Sequence, residues 1–345
     1  MVSAQRASSA EAMLAKGGSH IAIVGAGSIG LGFAIAFAQA GLTVRLQDPD
    51  TARFAQALET IRARLLALAE HGLLDEAPDA VAGRISFHET LSDILPLAGY
   101  VQECAPENLA LKQELYRQLD ELTPRHVVIG GSTSAIPASQ YAGDIAGRDR
   151  CLVCHPANPP YLLRIIEIVP ASFSSEQSAQ QARALFAASG FVPVVVRKEI
   201  EGFALNRLQG AVLREAYCLV RDGVLSVDEV DSLVRDGLGL RWSFMGPFET
   251  VDLNTRGGIA SHAQKMGPAY ARMGAERGQN DPWTDDLVET VSGQRRAIAP
   301  LDEWEAMNAW RDARLMALLR HRRDVAGIDA ALRGKMPTEK GKAAV

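Results

Sequence analysis

Between residue 20 and about residue 200, short apolar runs alternate with longer segments whose apolar positions recur every third or fourth residue; beyond that point the short runs stop. The first pattern predicts buried strands separated by helices, as in a parallel, doubly wound sheet, and the second predicts helices alone. Candidate strands are 20–24, 43–46, 85–87, 100–103, 127–129, 151–154, 165–169 and 192–195. An amphipathic helix is predicted over 28–40. A longer one over 51–71 carries Phe54, Ala57, Leu58, Ile61, Leu65 and Leu66 near a 3.6-residue period. Later helices are predicted at 203–222, 226–236, 246–254, 258–276, 282–297 and 301–325, each bounded by Gly, Pro, Asn or Asp. The expected organisation is a disordered extension over 1–18, an α/β domain over 19–200, an all-helical domain over 201–330 and a flexible tail over 331–345. The apolar face of 203–222, formed by Leu205, Leu208, Val212, Tyr217, Leu219 and Val220, is wide for a surface helix and is buried either in its own domain or between subunits.

The first strand runs straight into Gly25-Ala-Gly27-Ser28-Ile29-Gly30 and a helix. This places the glycines at a tight turn, at a close approach to a pyrophosphate and at a helix packing point, in the manner of a Rossmann-type nucleotide fold. Main-chain amides at the start of the helix, at Ser28 and Ile29, are the expected phosphate ligands, favoured by the helix dipole. Asp48 lies 23 positions after Gly25, just past the second strand, where a carboxylate accepts hydrogen bonds from a ribose. It would repel a 2'-phosphate, so the expected cofactor is NAD.

With 345 residues, 47% of them hydrophobic, the chain can bury two cores, and a net charge of −5 without blocks of like charge points to neither nucleic acid nor a membrane surface. No apolar run is long enough to span a bilayer and residues 1–18 lack the apolar stretch of a secretory signal, so a cytoplasmic protein is expected. The four cysteines, Cys104, Cys151, Cys154 and Cys218, are expected to be free thiols. Cys151-Leu-Val-Cys154-His155 matches a haem-attachment pattern, but it sits in a strand-like run, and no second pair completes a zinc set; no metal is expected.

Removing hydride from a carbinol carbon calls for a proton acceptor beside it, and histidine suits that task near neutral pH. His155 directly follows the run Cys151–Cys154 and opens His-Pro-Ala-Asn-Pro-Pro, a stiffened loop at a strand's C-terminal end, where open α/β sheets bind ligands. Glu167 follows 12 residues later on the apolar strand Arg-Ile-Ile-Glu-Ile-Val, where an unpaired carboxylate would be costly. Either the two form a dyad in which the acid fixes the imidazole tautomer, or His155 is a loop residue and Glu167 pairs with a cation such as Arg164.

Gly25–Gly30, Asp48, Gln102-Glu-Cys-Ala-Pro-Glu-Asn108, Ser132-Thr-Ser134, His155-Pro-Ala-Asn158-Pro, Glu167, Gly202-Phe-Ala-Leu-Asn206-Arg and Gly239–Phe248 together resemble the L-3-hydroxyacyl-CoA dehydrogenase superfamily over about residues 19–325. Within it they are most similar to the lambda-crystallin and L-gulonate 3-dehydrogenase branch, with carnitine dehydrogenases close by. The resemblance implies His155 as general base, Glu167 as its orienting acid, Ser134 and Asn206 as hydrogen-bonding groups at the substrate oxygen, Glu107 and Asn158 near the nicotinamide, and a homodimer. Where acyl-CoA enzymes of that family run almost directly from glycine into Met-Gly-Pro-Phe, this chain inserts Leu240-Arg241-Trp242-Ser243-Phe244. A guanidinium there suits a carboxylate, so a small free 3-hydroxy acid is expected, held by Arg241 unless that residue serves a salt bridge. The competing readings are a 3-hydroxyacyl-CoA or carnitine-type dehydrogenase and a non-catalytic NAD-binding protein.

Overall fold

The computed structural model describes residues 18–243, 245–254, 258–277, 286 and 300–333. The extension expected over 1–18 lies outside these apart from Gly18, as do the helix expected over 282–297, apart from Asp286, and the tail beyond Arg333.

Eight strands form one sheet in the order β3-β2-β1-β4-β5-β6-β7-β8. They are β1 His20–Val24, β2 Val44–Gln47, β3 Ile85–His88, β4 Ala98–Glu103, β5 Ile129–Gly131, β6 Cys151–Pro156, β7 Ile165–Pro170 and β8 Val192–Val195. Every neighbouring pair is parallel except β6 and β7. The central strands read as unbroken apolar runs because helices cover both faces: all of β1 is buried. One face carries α1 Ser28–Gln39, α2 Phe54–Glu70, α3 Pro78–Ala82 and α6 Glu176–Ala188 over Ile21, Ile23, Leu46 and Ile166. The other carries α4 Leu109–Leu122 and α5 Ala138–Tyr141 over Ala22, Val101, Ile129 and Val153.

Several boundaries differ from those read in the pattern. The β5 ladder begins at Ile129 rather than at Val127, because Ile129 is the first residue in register with Val101 on one side and Cys151 on the other. Strand β6 continues to Pro156, since its antiparallel partner pairs Pro156 with Ile166. His155 therefore stands inside a strand and not at the head of a loop. Helix α1 is not amphipathic: everything from Gly30 to Ala38 is buried, with Phe33 and Phe37 packed among Tyr100, Phe186 and Phe191.

Among the described residues the later helices include α7 Leu205–Arg221, α8 Val227–Ser232, a π-helical turn Leu233–Leu238, α9 Gly239–Trp242, α10 Pro247–Asn254, α11 Gly258–Arg277 and α12 Trp304–Arg333. The helix expected over 226–236 thus continues in α-helical and π-helical form to Trp242. By packing, the chain divides into a unit up to Asn206 together with the segment from Ala309, and a unit over Arg207–Asn308. The sequence boundaries at 200 and 330 did not anticipate the return of the C-terminal helix to the first unit. Its physical basis is Met316, buried in the α/β core, with a hydrogen bond of 2.9 Å from Tyr161 to Asp312 and an ion pair between Arg323 and Asp75.

Candidate active site

The turn between β1 and α1 has the three-glycine form for steric reasons that differ at each position. Gly25 has φ +105°, and a methyl there would stand 2.7 Å from the Cys104 carbonyl oxygen of the adjoining chain segment. Gly30 packs against the turn itself: an added methyl would collide with the Gly25 carbonyl oxygen, with the Ile23 side chain behind it at 3.5 Å. Gly27 faces open space: beyond its own chain neighbours, no atom of the described residues lies within 4 Å of an added methyl. It is also the N-cap of α1, no side chain caps that helix, and its first turn holds no acid. The amides of the first turn are therefore free to receive an anion, which is the arrangement a dinucleotide pyrophosphate requires. Asp48, at the end of β2, accepts a hydrogen bond from the Ala26 amide at 2.9 Å and one from Asp50 at 3.0 Å, which fixes its carboxylate beside the turn. These residues fit NAD.

Because Gly27 has ordinary φ/ψ (−72°, 177°) and room around it, alanine there should leave the thermal midpoint unchanged. The methyl would occupy the approach of the phosphates, so the NADH dissociation constant should rise about tenfold, roughly 1.4 kcal/mol. Fluorescence titration beside a melting curve checks both halves of this expectation.

Across the β6/β7 pair, His155 stands directly opposite Glu167. The Glu167 Oε2 atom lies 2.8 Å from His155 Nδ1, and Oε1 accepts the amides of Ala204 at 2.8 Å and Leu205 at 2.9 Å, at the start of α7. Both side chains are buried, 6% and 4% exposed. Burial pushes the Glu167 carboxyl up, but the hydrogen bonds from His155 and from the two amides outweigh it and hold it below its ordinary value. An ionised carboxylate can only accept, so Nδ1 carries a hydrogen and Nε2, which has no hydrogen-bond partner among the described residues, is the basic nitrogen. The amides reach Glu167 through a left-handed turn at Gly202 (φ 72°) and Phe203 (φ 50°), and the Phe203 ring packs 5.5 Å from the imidazole. Arg164, the alternative cation, is engaged elsewhere, with Tyr161, Ala36, Ser189 and Gln39.

Ser134 and Asn206 also meet: the Asn206 Nδ2 donates to the Ser134 main-chain carbonyl at 2.8 Å. Glu107 lies at the same loop. It accepts from the Thr133 hydroxyl and, at 3.3 Å each, from the amides of Ser134, Ala135 and Ile136. Burial raises its carboxyl, and these four donors more than reverse the effect, leaving it below its ordinary value. Asn108 caps α4, accepting from Leu111 at 3.0 Å. Asn158 is exposed in the loop after β6, and that loop is pressed onto α1 where Pro160 Cδ would lie 2.7 Å from a methyl on Gly32. Arg241 lies on α9 in the second unit, and among the described residues its guanidinium makes no hydrogen bond or ion pair.

Sequence reasoning missed a buried ion pair at the end of β4. Lys112 Nζ contacts both Glu103 carboxylate oxygens at 2.8 Å, with both side chains almost wholly excluded from water. The signal was an acid ending an apolar strand, with a lysine nine residues later in the following helix. The cysteines of the Cys-x-x-Cys pattern point into opposite faces of the sheet, Cys151 into one core and Cys154 into the other. Burial pushes both thiols up to about 12, so neither is a ready nucleophile or ligand.

A family model for the 3-hydroxyacyl-CoA dehydrogenase NAD binding domain matches residues 20–200, and one for the C-terminal domain of the same family matches residues 202–299. The chain is 37% identical to the lambda-crystallin homolog of Bos taurus over 307 residues, covering 86% of this chain and 94% of that one. It is 35% identical to the L-carnitine dehydrogenase of Pseudomonas putida over 317 residues, covering 86% and 92%. Among solved structures it resembles 5-formyl-3-hydroxy-2-methylpyridine 4-carboxylic acid 5-dehydrogenase, described as an NAD+-dependent dismutase. The TM-score is 0.77 at 27% identity, over 88% of this chain and 98% of that one.

Proposed function

The chain belongs to the 3-hydroxyacyl-CoA dehydrogenase family and is an NAD-dependent oxidoreductase, and from that premise we propose that it oxidises the C3 hydroxyl of a small free 3-hydroxy acid of the L-gulonate type. The observation that carries this reading is the buried His155–Glu167 pair, with one imidazole nitrogen tied down and the other basic.

In the forward direction His155 Nε2 takes the proton of the C3 hydroxyl, and Glu167 stabilises the imidazolium that results. NAD, when bound, accepts the hydride released from C3. In reduction the imidazolium returns its proton to the oxygen. The Ser134 hydroxyl and the second N–H of the Asn206 amide are the groups for the substrate oxygen, and Asn158 serves the nicotinamide end. The Arg241 guanidinium takes the C1 carboxylate, which a thioester lacks. A homodimer is proposed with this, supported by the exposed apolar residues Leu208, Val212 and Leu213 on α7. A cytoplasmic location is proposed as well; among the described residues no helix is long and apolar enough to cross a membrane.

A panel of gulonate, 3-hydroxybutyrate, carnitine and 3-hydroxybutyryl-CoA, followed by NADH formation, tests the assignment. A free acid should lead the ranking, and Arg241→Ala should raise its KM by roughly tenfold to a hundredfold, the range for loss of a charge-assisted bidentate contact of about 1.5–3 kcal/mol. Faster turnover of the thioester, with Arg241→Ala kinetically silent, would establish the acyl-CoA reading instead. NADH binding with no oxidation of any acid would leave a non-catalytic protein.

A further inference from the structure

At the C-terminal ends of β4, β5 and β6 one buried amide joins the strand that carries His155 to the loop that carries Ser134. Gln102 lies on β4 opposite Gly130, which in turn lies opposite Leu152, and it is wholly shielded from solvent. Its Nε2 donates to the Ser132 hydroxyl at 2.7 Å and to the Cys154 carbonyl at 3.3 Å, and its Oε1 accepts from the Tyr100 hydroxyl at 2.7 Å. Both amide hydrogens and the oxygen are therefore used. The reach from β4 past β5 to β6 needs a glycine between them: a methyl on Gly130 would collide with the Tyr100 hydroxyl and stand 2.9 Å from Cys154 Sγ. Ser132 and Cys154 both stand just past the last pair of the β5/β6 ladder, Gly131 with Val153. The Cys154 carbonyl belongs to the peptide that leads into His155, and Ser132 stands two residues before Ser134. A buried amide is costly unless fully bonded, and an apolar side chain of similar length would fill this space without that cost. What the amide adds is a fixed link between two segments.

We propose that Gln102 is a positioning residue for the oxidation: through the Cys154 carbonyl and the Ser132 hydroxyl it sets the spacing between the His155 imidazole and Ser134, which meet the same substrate hydroxyl. This rests on the reading of His155 as general base given above. Glu167 fixes the ring from the β7 side. Gln102 fixes the main chain leading into it from the β4 side, and with its hydrogen-bonding positions taken inside the protein it acts through these two segments. Proton transfer depends steeply on the distance between base and hydroxyl, and a misplacement of about 1 Å lowers a rate by up to about a hundredfold. Loss of the link with the neighbouring packing intact should give a smaller effect.

Gln102→Met keeps the length of the side chain and removes its three hydrogen bonds. A double-mutant cycle between Gln102→Met and His155→Gln, read as kcat for the best acid of the panel, tests the proposal, with KM and the NADH dissociation constant measured alongside. Gln102→Met alone should lower kcat about tenfold and leave KM and NADH affinity within about twofold. In the His155→Gln background, where no base remains to be aligned, it should change kcat by no more than about twofold. Equal losses in the two backgrounds, parental kcat in Gln102→Met, or a tenfold loss of NADH affinity overturns the proposal and leaves Gln102 a packing residue. Tyr100→Phe removes only the third bond of the amide and should keep kcat within about twofold; a tenfold loss there overturns the role of the Ser132 and Cys154 links. A His155→Gln enzyme as fast as the parent defeats the general-base reading itself, a failure visible without any change at Gln102. Should Gln102→Met fold poorly, Gln102→Met combined with Tyr100→Phe, which removes the hydroxyl left without its acceptor, enters the cycle in its place with the same expected coupling.

Discussion

Replacing His155 by glutamine is expected to lower kcat by about 10²- to 10⁴-fold, the range for removing a positioned general base, with NADH affinity little changed. Glu167→Gln should fall in the same range for a tautomeric reason. Its Oε1 must accept the amides of Ala204 and Leu205, as the carboxylate does now at 2.8 and 2.9 Å. The amide NH2 then faces His155 Nδ1, which has to become an acceptor, and the ring hydrogen moves to Nε2, the nitrogen that should take the substrate proton. Steady-state kinetics on both variants check this, and a Glu167→Gln enzyme with parental kcat would mean that the acid does not set the tautomer. Glu167 also carries a pH signature. Its folded pKa lies below the ordinary carboxylate value, so the stability it contributes is fully present above that ordinary value and is lost as pH falls through the folded one. Urea unfolding at steps from about pH 6 to pH 3 should therefore show a shallower acid loss in Glu167→Gln than in the parent.

The largest loss of stability is expected at Lys112. Changing it to methionine leaves the Glu103 carboxylate buried without its counter-charge, and breaking a buried pair in this way costs about 3–5 kcal/mol. The pair is wholly enclosed, with side-chain exposures of 1% and 0%, so water cannot take over the solvation. Glu103 also accepts the Ala105 amide at 2.7 Å and so shapes the turn whose Cys104 carbonyl backs Gly25. Lys112→Met should consequently weaken NADH binding as well as lower the urea midpoint. A Lys112→Met, Glu103→Gln double variant should recover much of the lost stability, because no unpaired charge remains. If Lys112→Met cost under about 1 kcal/mol, the pair would contribute little more than a surface bridge.

The parts of the site that were legible in the sequence are those whose chemistry is local. Gly25, Gly27 and Gly30 occupy one turn, so their spacing announces the backbone geometry, and Asp48 follows one strand later at a distance set by a single β-α-β unit. Glu107 shows the limit: the family resemblance marked it as a site residue, while its hydrogen bonds run to residues 133–136 in the turn after the neighbouring strand. Glu103 and Lys112 were each visible, yet neither reads as one half of a buried pair until β4 and α4 are packed together.

By itself the sequence determined the alternation of strands and helices, the nucleotide turn, the switch to helices near residue 200 and His155 and Glu167 as candidates for a dyad, because hydrophobic period, glycine spacing and strand-borne acids are local properties. Only the tertiary structure decided that β7 runs antiparallel to β6, so that His155 and Glu167 share one register; that Phe203 takes a left-handed conformation to bring the α7 amides onto Glu167; and that the C-terminal helix returns to the first unit. Those three outcomes depend on hydrogen bonds and packing between segments far apart in the chain, and no local pattern carries the energy that selects among them.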